Sequence, residues 1–164
     1  MSAIASSRAA DNRLADREAV VEVIQAAAWL LNREEYGRWV ELFAEVSEYE
    51  IVVENRDTAR TQVVWWRSDR NELVRILGGV GEQFRDRAIR THLVTPIKIE
   101  VTDDRASAVS SFALYRSPAD EPSRLFLVGH YHDALVRHGH AWLYSSHRVV
   151  VDSFVIDTLT HVPL

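Results

Sequence analysis

The sharpest chemical signal among the 164 residues is His130-Tyr131-His132. In a strand, positions i and i+2 point to one face, so the two imidazoles would sit side by side. Imidazole suits zinc, copper or iron, which makes His130 and His132 candidate metal ligands. A third ligand would have to come from another strand, with His92 or His147 available. The plain alternative is a pair of hydrogen-bonded sheet or interface histidines. Acid–base chemistry is the second possibility, with His92, Tyr115, Tyr131, Asp133 and His147 as candidates. A histidine beside a carboxylate is a standard general base, but no spacing here fixes such a group. His138-Gly139-His140 reads as exposed turn polarity, and His161 as solvent-facing or interfacial.

Other chemistries are excluded more firmly. There is no cysteine, which removes disulfides, thiol nucleophiles and Cys-ligated clusters together. No G-x-S-x-G, Walker or G-x-G-x-x-G motif occurs. The formal net charge is -5, and Lys98 is the only lysine among 19 basic residues. The arginines are scattered, so no basic stripe marks a nucleic-acid groove. No long apolar run suggests a membrane span, and Met1 to Ala10 lacks the apolar centre of a signal peptide. A cytoplasmic protein is expected.

The positioning elements follow from periodicity. Residues 1–12 read as a flexible N-terminus and 13–164 as a single domain. Asp16 is a candidate N-cap, followed by Val20, Ile24, Ala27, Ala28 and Leu31 on one helical face. A second short helix starts near Glu34, with Tyr36, Trp39, Val40 and Phe43 inward. Tyr49 to Glu54 reads as a strand. A third helix begins near Ser68, carries Leu73, Ile76, Leu77 and Val80 on one face, and weakens at Gly78, Gly79 and Gly81. Then the period changes to two. Leu93, Thr95, Ile97, Ile99 and Val101 alternate with their neighbours, and Pro96 marks an edge or a bulge. Ser107–Arg116, Leu125–Val136 and Ala141–Val151 complete an antiparallel meander. Helices segregated onto one face of such a sheet make an α+β layout. Trp29, Trp39 and Trp142 fall on expected core stripes. Trp65-Trp66 lies in the link before the third helix, where two exposed tryptophans suit a protein–protein contact. Arg148 and Asp152, at i and i+4, read as a same-face ion pair within or between subunits.

Several stretches together resemble the small (beta) subunits of aromatic-ring-hydroxylating dioxygenases. The second helix reads Glu35-Tyr36-Gly37-Arg38-Trp39-Val40-Glu41-Leu42-Phe43. Arg90-Thr91-His92-Leu93-Val94 is similar to that family's strand opening. Ser110 to Ser117 resembles its S-x-F-x-x-Y-R-S strand, and Phe126 to Leu135 its F-x-x-G-x-Y-x-D-x-L pattern. Trp142, Arg148 and Asp152 fit its last strand. The resemblance spans roughly residues 29 to 164, and the closing stretch is similar to small subunits serving single-ring aromatic acids.

The resemblance implies a cone-shaped fold of the nuclear transport factor 2-like (cystatin-like) type, with N-terminal helices packed on a strongly curved antiparallel or mixed sheet. It implies a structural, non-catalytic subunit with no cofactor of its own. The Rieske [2Fe–2S] cluster and the mononuclear iron would belong to a catalytic alpha subunit, in an alpha3beta3 assembly whose beta subunits form a trimer. Trp65, Trp66, Arg148 and Asp152 would serve interfaces. One point agrees independently: Rieske ligation needs two Cys and two His, and this chain has no Cys. The competing expectation is a stand-alone dehydratase or isomerase of the same fold, using a His/Asp pair in the cone, His92 with Asp133 or a tyrosine.

Overall fold

The computed structural model describes residues 2–54, 62–80, 87–152 and 162–164. His161, Gly81 and most of the closing stretch therefore lie outside the described residues. Helix α1 (Ser2–Asn32) is followed by α2 (Tyr36–Val40), β1 (Phe43–Glu54), β2 (Gln62–Asp69) and α3 (Arg70–Leu77). Four strands complete the order: β3 (Ile89–Thr102), β4 (Arg105–Ser117), β5 (Arg124–His138) and β6 (Ala141–Val151). The strands form one sheet in the order β2-β1-β6-β5-β4-β3. β1 runs parallel to β6, and every other pair is antiparallel. The α+β layout expected from periodicity is the one observed.

A helical backbone stands over residues where the sequence suggested a flexible stretch. Ala3, Ala5, Ala9 and Ala10 favour helix, and no proline or glycine interrupts them. Asp16 is therefore interior to α1 rather than its cap. Its carboxylate pairs with Arg137 at 2.7 Å, and the Arg137 guanidinium lies over Trp142, 4.4 Å from the ring centroid. Of the expected stripe, Val20, Ile24, Ala27 and Leu31 are buried and Ala28 is half-buried at its margin. Trp29 is not on that stripe and is 60% exposed. At about 100° per residue it sits roughly opposite Leu31, so its phase overrides its size.

The sequence reading also missed β2. Trp65 and Trp66 lie within this edge strand, not in a link. Ile51 pairs with Trp66 and Val52 with Val64, so Trp65 is the extra residue of a bulge. That insertion breaks the alternation by which a strand is recognised. α3 starts where Asp69 accepts a hydrogen bond from the Glu72 amide at 2.8 Å.

β3 is the opposite edge, and its register slips between Pro96 and Lys98. The slip changes which residues face the helices. Before it, Arg90, His92 and Val94 turn inward, while Leu93 and Ile97 are 56% and 61% exposed. After it, Ile99 is buried. Leu93 and Ile97 thus lie on the outer face, opposite to the alternation expected from a continuous strand. In β5, Gly129 is required by close approach: an added Cβ would stand 2.1 Å from the Val150 carbonyl oxygen and 2.9 Å from Phe112. Gly139 turns β5 into β6 with φ +62, a conformation that favours glycine.

Candidate functional site

Alternation along β5 sorts the candidate residues onto two faces. Tyr131 and Asp133 point inward, whereas His130 and His132 point outward. Antiparallel pairing sets Asp133 directly against His147 of β6, and parallel pairing sets His147 against Tyr49 of β1. The His147 Nδ1 and Asp133 Oδ1 atoms are 2.6 Å apart, with both side chains almost wholly buried. The carboxylate fixes the ring's orientation and its Nδ1–H tautomer.

Five aromatic rings surround that imidazole. Tyr131 and Tyr144 stand at 4.9 and 5.0 Å, and Tyr49 stacks at 5.6 Å. Phe43 and Trp39 follow at 6.2 and 6.3 Å. Burial raises the Tyr131 and Tyr144 phenols well above their ordinary range, and the nearby Asp133 charge adds to it. Both therefore remain protonated at neutral pH. Val162 and Leu164 belong to the same buried cluster, and the Leu164 amide donates to the Tyr49 hydroxyl at 2.9 Å. Asp133 Oδ2 and the Ser110 hydroxyl have no hydrogen-bond partner among the described residues.

His92 enters the interior from β3. Its Nδ1 lies 2.8 Å from Asn32 Oδ1, which also accepts the His92 amide at 2.7 Å. Its Nε2 is buried without a partner among the described residues. Burial, then the charges of Arg90 and His147, lowers its pKa from 6.5 to about 4. His92 is thus a neutral imidazole donating from Nδ1.

Tyr115, grouped with these residues in the sequence reading, lies elsewhere. It is on the outer face of β4 beside Thr91 and Leu125, and 36% exposed. The register of β4 puts odd-numbered residues outside there, so it cannot join an interior acid–base group. His130 is half-exposed, with Nδ1 3.9 Å from Asp152 Oδ1, and His132 is exposed opposite Arg148. Among the described residues no group of three or more His, Asp or Glu side chains is placed to hold a metal ion.

The four interface candidates divide as well. Trp65 is 38% exposed. Trp66 is not exposed as expected: it packs edge-on against Tyr49 at 5.4 Å and donates from Nε1 to Ser68 at 2.6 Å. Arg148 reaches Glu50 at 3.4 Å, and Glu50 is also held by Arg67, so a charged row crosses the outer face from β6 to β2. Asp152 follows β6 and donates its amide to the Val128 carbonyl. Asn32, Tyr49 and Tyr144 were missed. Strand pairing brings Tyr49 of β1 beside His147, and Tyr144, three residues before His147, shares its face because the β5–β6 register slips at Ser145. Asn32 carries no local signal, because only tertiary packing brings the end of α1 to β3.

Comparison with known proteins places this geometry. The 2-aminobenzenesulfonate 2,3-dioxygenase subunit beta of Alcaligenes sp. is 23% identical over 151 residues, covering 91% of this chain and 99% of that relative. A Novosphingobium aromaticivorans structure, described as the beta subunit of an aromatic-ring-hydroxylating dioxygenase, superposes with TM-score 0.79 at 17% identity, covering 90% of this chain and 95% of that one. A structure described as a scytalone dehydratase from the same organism gives TM-score 0.67 at 19% identity, covering 88% and 89%. At such identities the structural likenesses establish the fold alone, which is the nuclear transport factor 2-like, cystatin-like one. The SnoaL-like domain family matches residues 12–148, most of the chain including the Asp133–His147 pair, and the protein belongs to that family.

Proposed function

We propose that the chain is the beta subunit of a multicomponent aromatic-ring-hydroxylating dioxygenase, with a structural role in assembly. The observation that carries this reading is the end-to-end similarity to a dioxygenase beta subunit, 99% of which is covered. The chemistry of the chain is compatible with it. A chain without cysteine cannot supply the thiolate half of a Rieske centre, so the [2Fe–2S] cluster would lie in a catalytic alpha subunit, where this reading also puts the mononuclear iron. The proposed assembly is alpha3beta3, cytoplasmic, with the beta subunits forming the trimer and with aromatic compounds, including aromatic carboxylates, as substrates.

Co-expression with the ring-hydroxylating large subunit encoded beside it tests this. A stoichiometric complex is expected by analytical ultracentrifugation. A chain that stays monomeric and shows no affinity for that subunit would overturn the reading.

One observation favours a second reading. The buried Asp133–His147 pair is the arrangement of an oriented general base, and a dehydratase-described structure shares the fold. A stand-alone dehydratase or isomerase predicts that His147→Gln removes turnover while the fold persists.

A further inference from the structure

We infer that two side chains of α1 guard the open edge of β3 against strand addition. β3 is a 14-residue edge strand with apolar Leu93 and Ile97 exposed on its outer face. A long edge of this kind is a template for pairing with another chain. In an antiparallel strand, alternate residues turn both backbone groups toward the same neighbour. His92 turns its own away from β4, and Asn32 takes both. Asn32 Oδ1 accepts the His92 amide at 2.7 Å, and Asn32 Nδ2 donates to the His92 carbonyl at 3.4 Å. The side-chain amide thus occupies the place of a neighbouring strand.

The same device recurs down the edge. Arg17 Nη1 donates to the Ile99 carbonyl at 2.7 Å, on the other side of the register slip. Between them, Pro96 has no N–H to offer. Along β3 both groups of His92, the donor position of Pro96 and the Ile99 carbonyl are therefore engaged or removed. The His92 imidazole reinforces the first guard, since its Nδ1–H reaches the same Asn32 oxygen at 2.8 Å. This gives His92 a positional role that needs no chemistry in the interior.

Two measurements on the full chain test it. In the wild type, hydrogen exchange at neutral pH should show the His92 amide at least tenfold slower than the Val94 amide on the same edge. Equal, fast exchange would overturn the proposal. In Asn32→Leu, association beyond the wild-type assembly should set in at a concentration at least tenfold lower, with a gain in sheet content by infrared spectroscopy. Adding Val94→Pro, which removes the next edge N–H, should reverse that association, while adding the uncharged Leu93→Ser should not. Reversal by Leu93→Ser would assign the association to the apolar outer face and overturn the edge mechanism, as would an unchanged assembly. If Asn32→Leu does not fold, Asn32→Ala, which removes both the acceptor and the donor with a smaller side chain, carries the same comparison.

Discussion

The two faces of β5 differ by one residue in register and by almost everything in chemistry. His130 and His132 stand on the outer face, half-exposed or exposed, near Asp152 and Arg148. Tyr131 and Asp133 stand on the inner face, where Asp133 holds His147 within a shell of aromatic rings. Spacing within the sequence favoured the outer pair as a site. Burial and cross-strand pairing make the inner group the one with fixed geometry. Neighbours along a strand are separated by the sheet, while residues 14 positions apart in β5 and β6 are joined by it.

The largest expected contrast uses two tryptophans. Trp39→Ala on the inner side should cost about 4 kcal/mol in urea unfolding, since it empties a fully buried site. Trp65→Ala on the outer side should cost about 1 kcal/mol or less. Comparable losses would show that the outer face of β2 is packed as tightly as the interior.

The next contrast is in pH. His92 has a folded pKa of about 4 against 6.5 for an ordinary histidine. As pH falls below 6.5 the unfolded chain takes up the proton first, so stability declines, and the decline is complete below about 4. Its magnitude is on the order of 3 kcal/mol. It should appear as the difference between wild type and His92→Gln in unfolding experiments across that window. Parallel curves would mean that His92 is hydrated in solution.

Smaller still is the contrast between carboxylate and imidazole on opposite faces. Asp133→Ala leaves a buried imidazole N–H unpaired and should destabilise by about 2 kcal/mol. His132→Ala should stay within about 0.5 kcal/mol. A large loss at His132 would sharpen the picture differently, by identifying the outer face as an assembled interface in the sample measured.

Much of this was legible in the sequence. The α1 stripe from Val20 to Leu31, the meander from β3 to β6 and the disruption at Pro96 all follow from periodicity and from proline's missing donor. Of the five acid–base candidates, Tyr131, Asp133 and His147 meet, whereas His92 is held by Asn32 and Tyr115 lies on the outer face. What was not legible has identifiable causes. Trp65 hid β2 because a bulge residue destroys the alternation that reveals strands. Alternation puts Leu93 and Ile97 on one face with Ile99 and Val101, and the slip near Pro96 splits that set by reversing the phase partway along β3. Tyr115 followed the same kind of error in β4, where polarity suggested an interior role and register denied it. Asn32 depends on a contact across 60 positions, which no local pattern encodes.

The most direct test of the proposed role is reconstitution. The purified chain would be mixed with the Rieske subunit proposed as its partner, and the sedimenting species assayed for iron and for oxidation of an aromatic substrate, with wild-type chain and with His147→Gln. The expected result is a stable complex of both subunits whose oxidation rate is unchanged by the substitution. A chain that sediments apart from the partner and itself transforms a substrate in a His147-dependent way would contradict it.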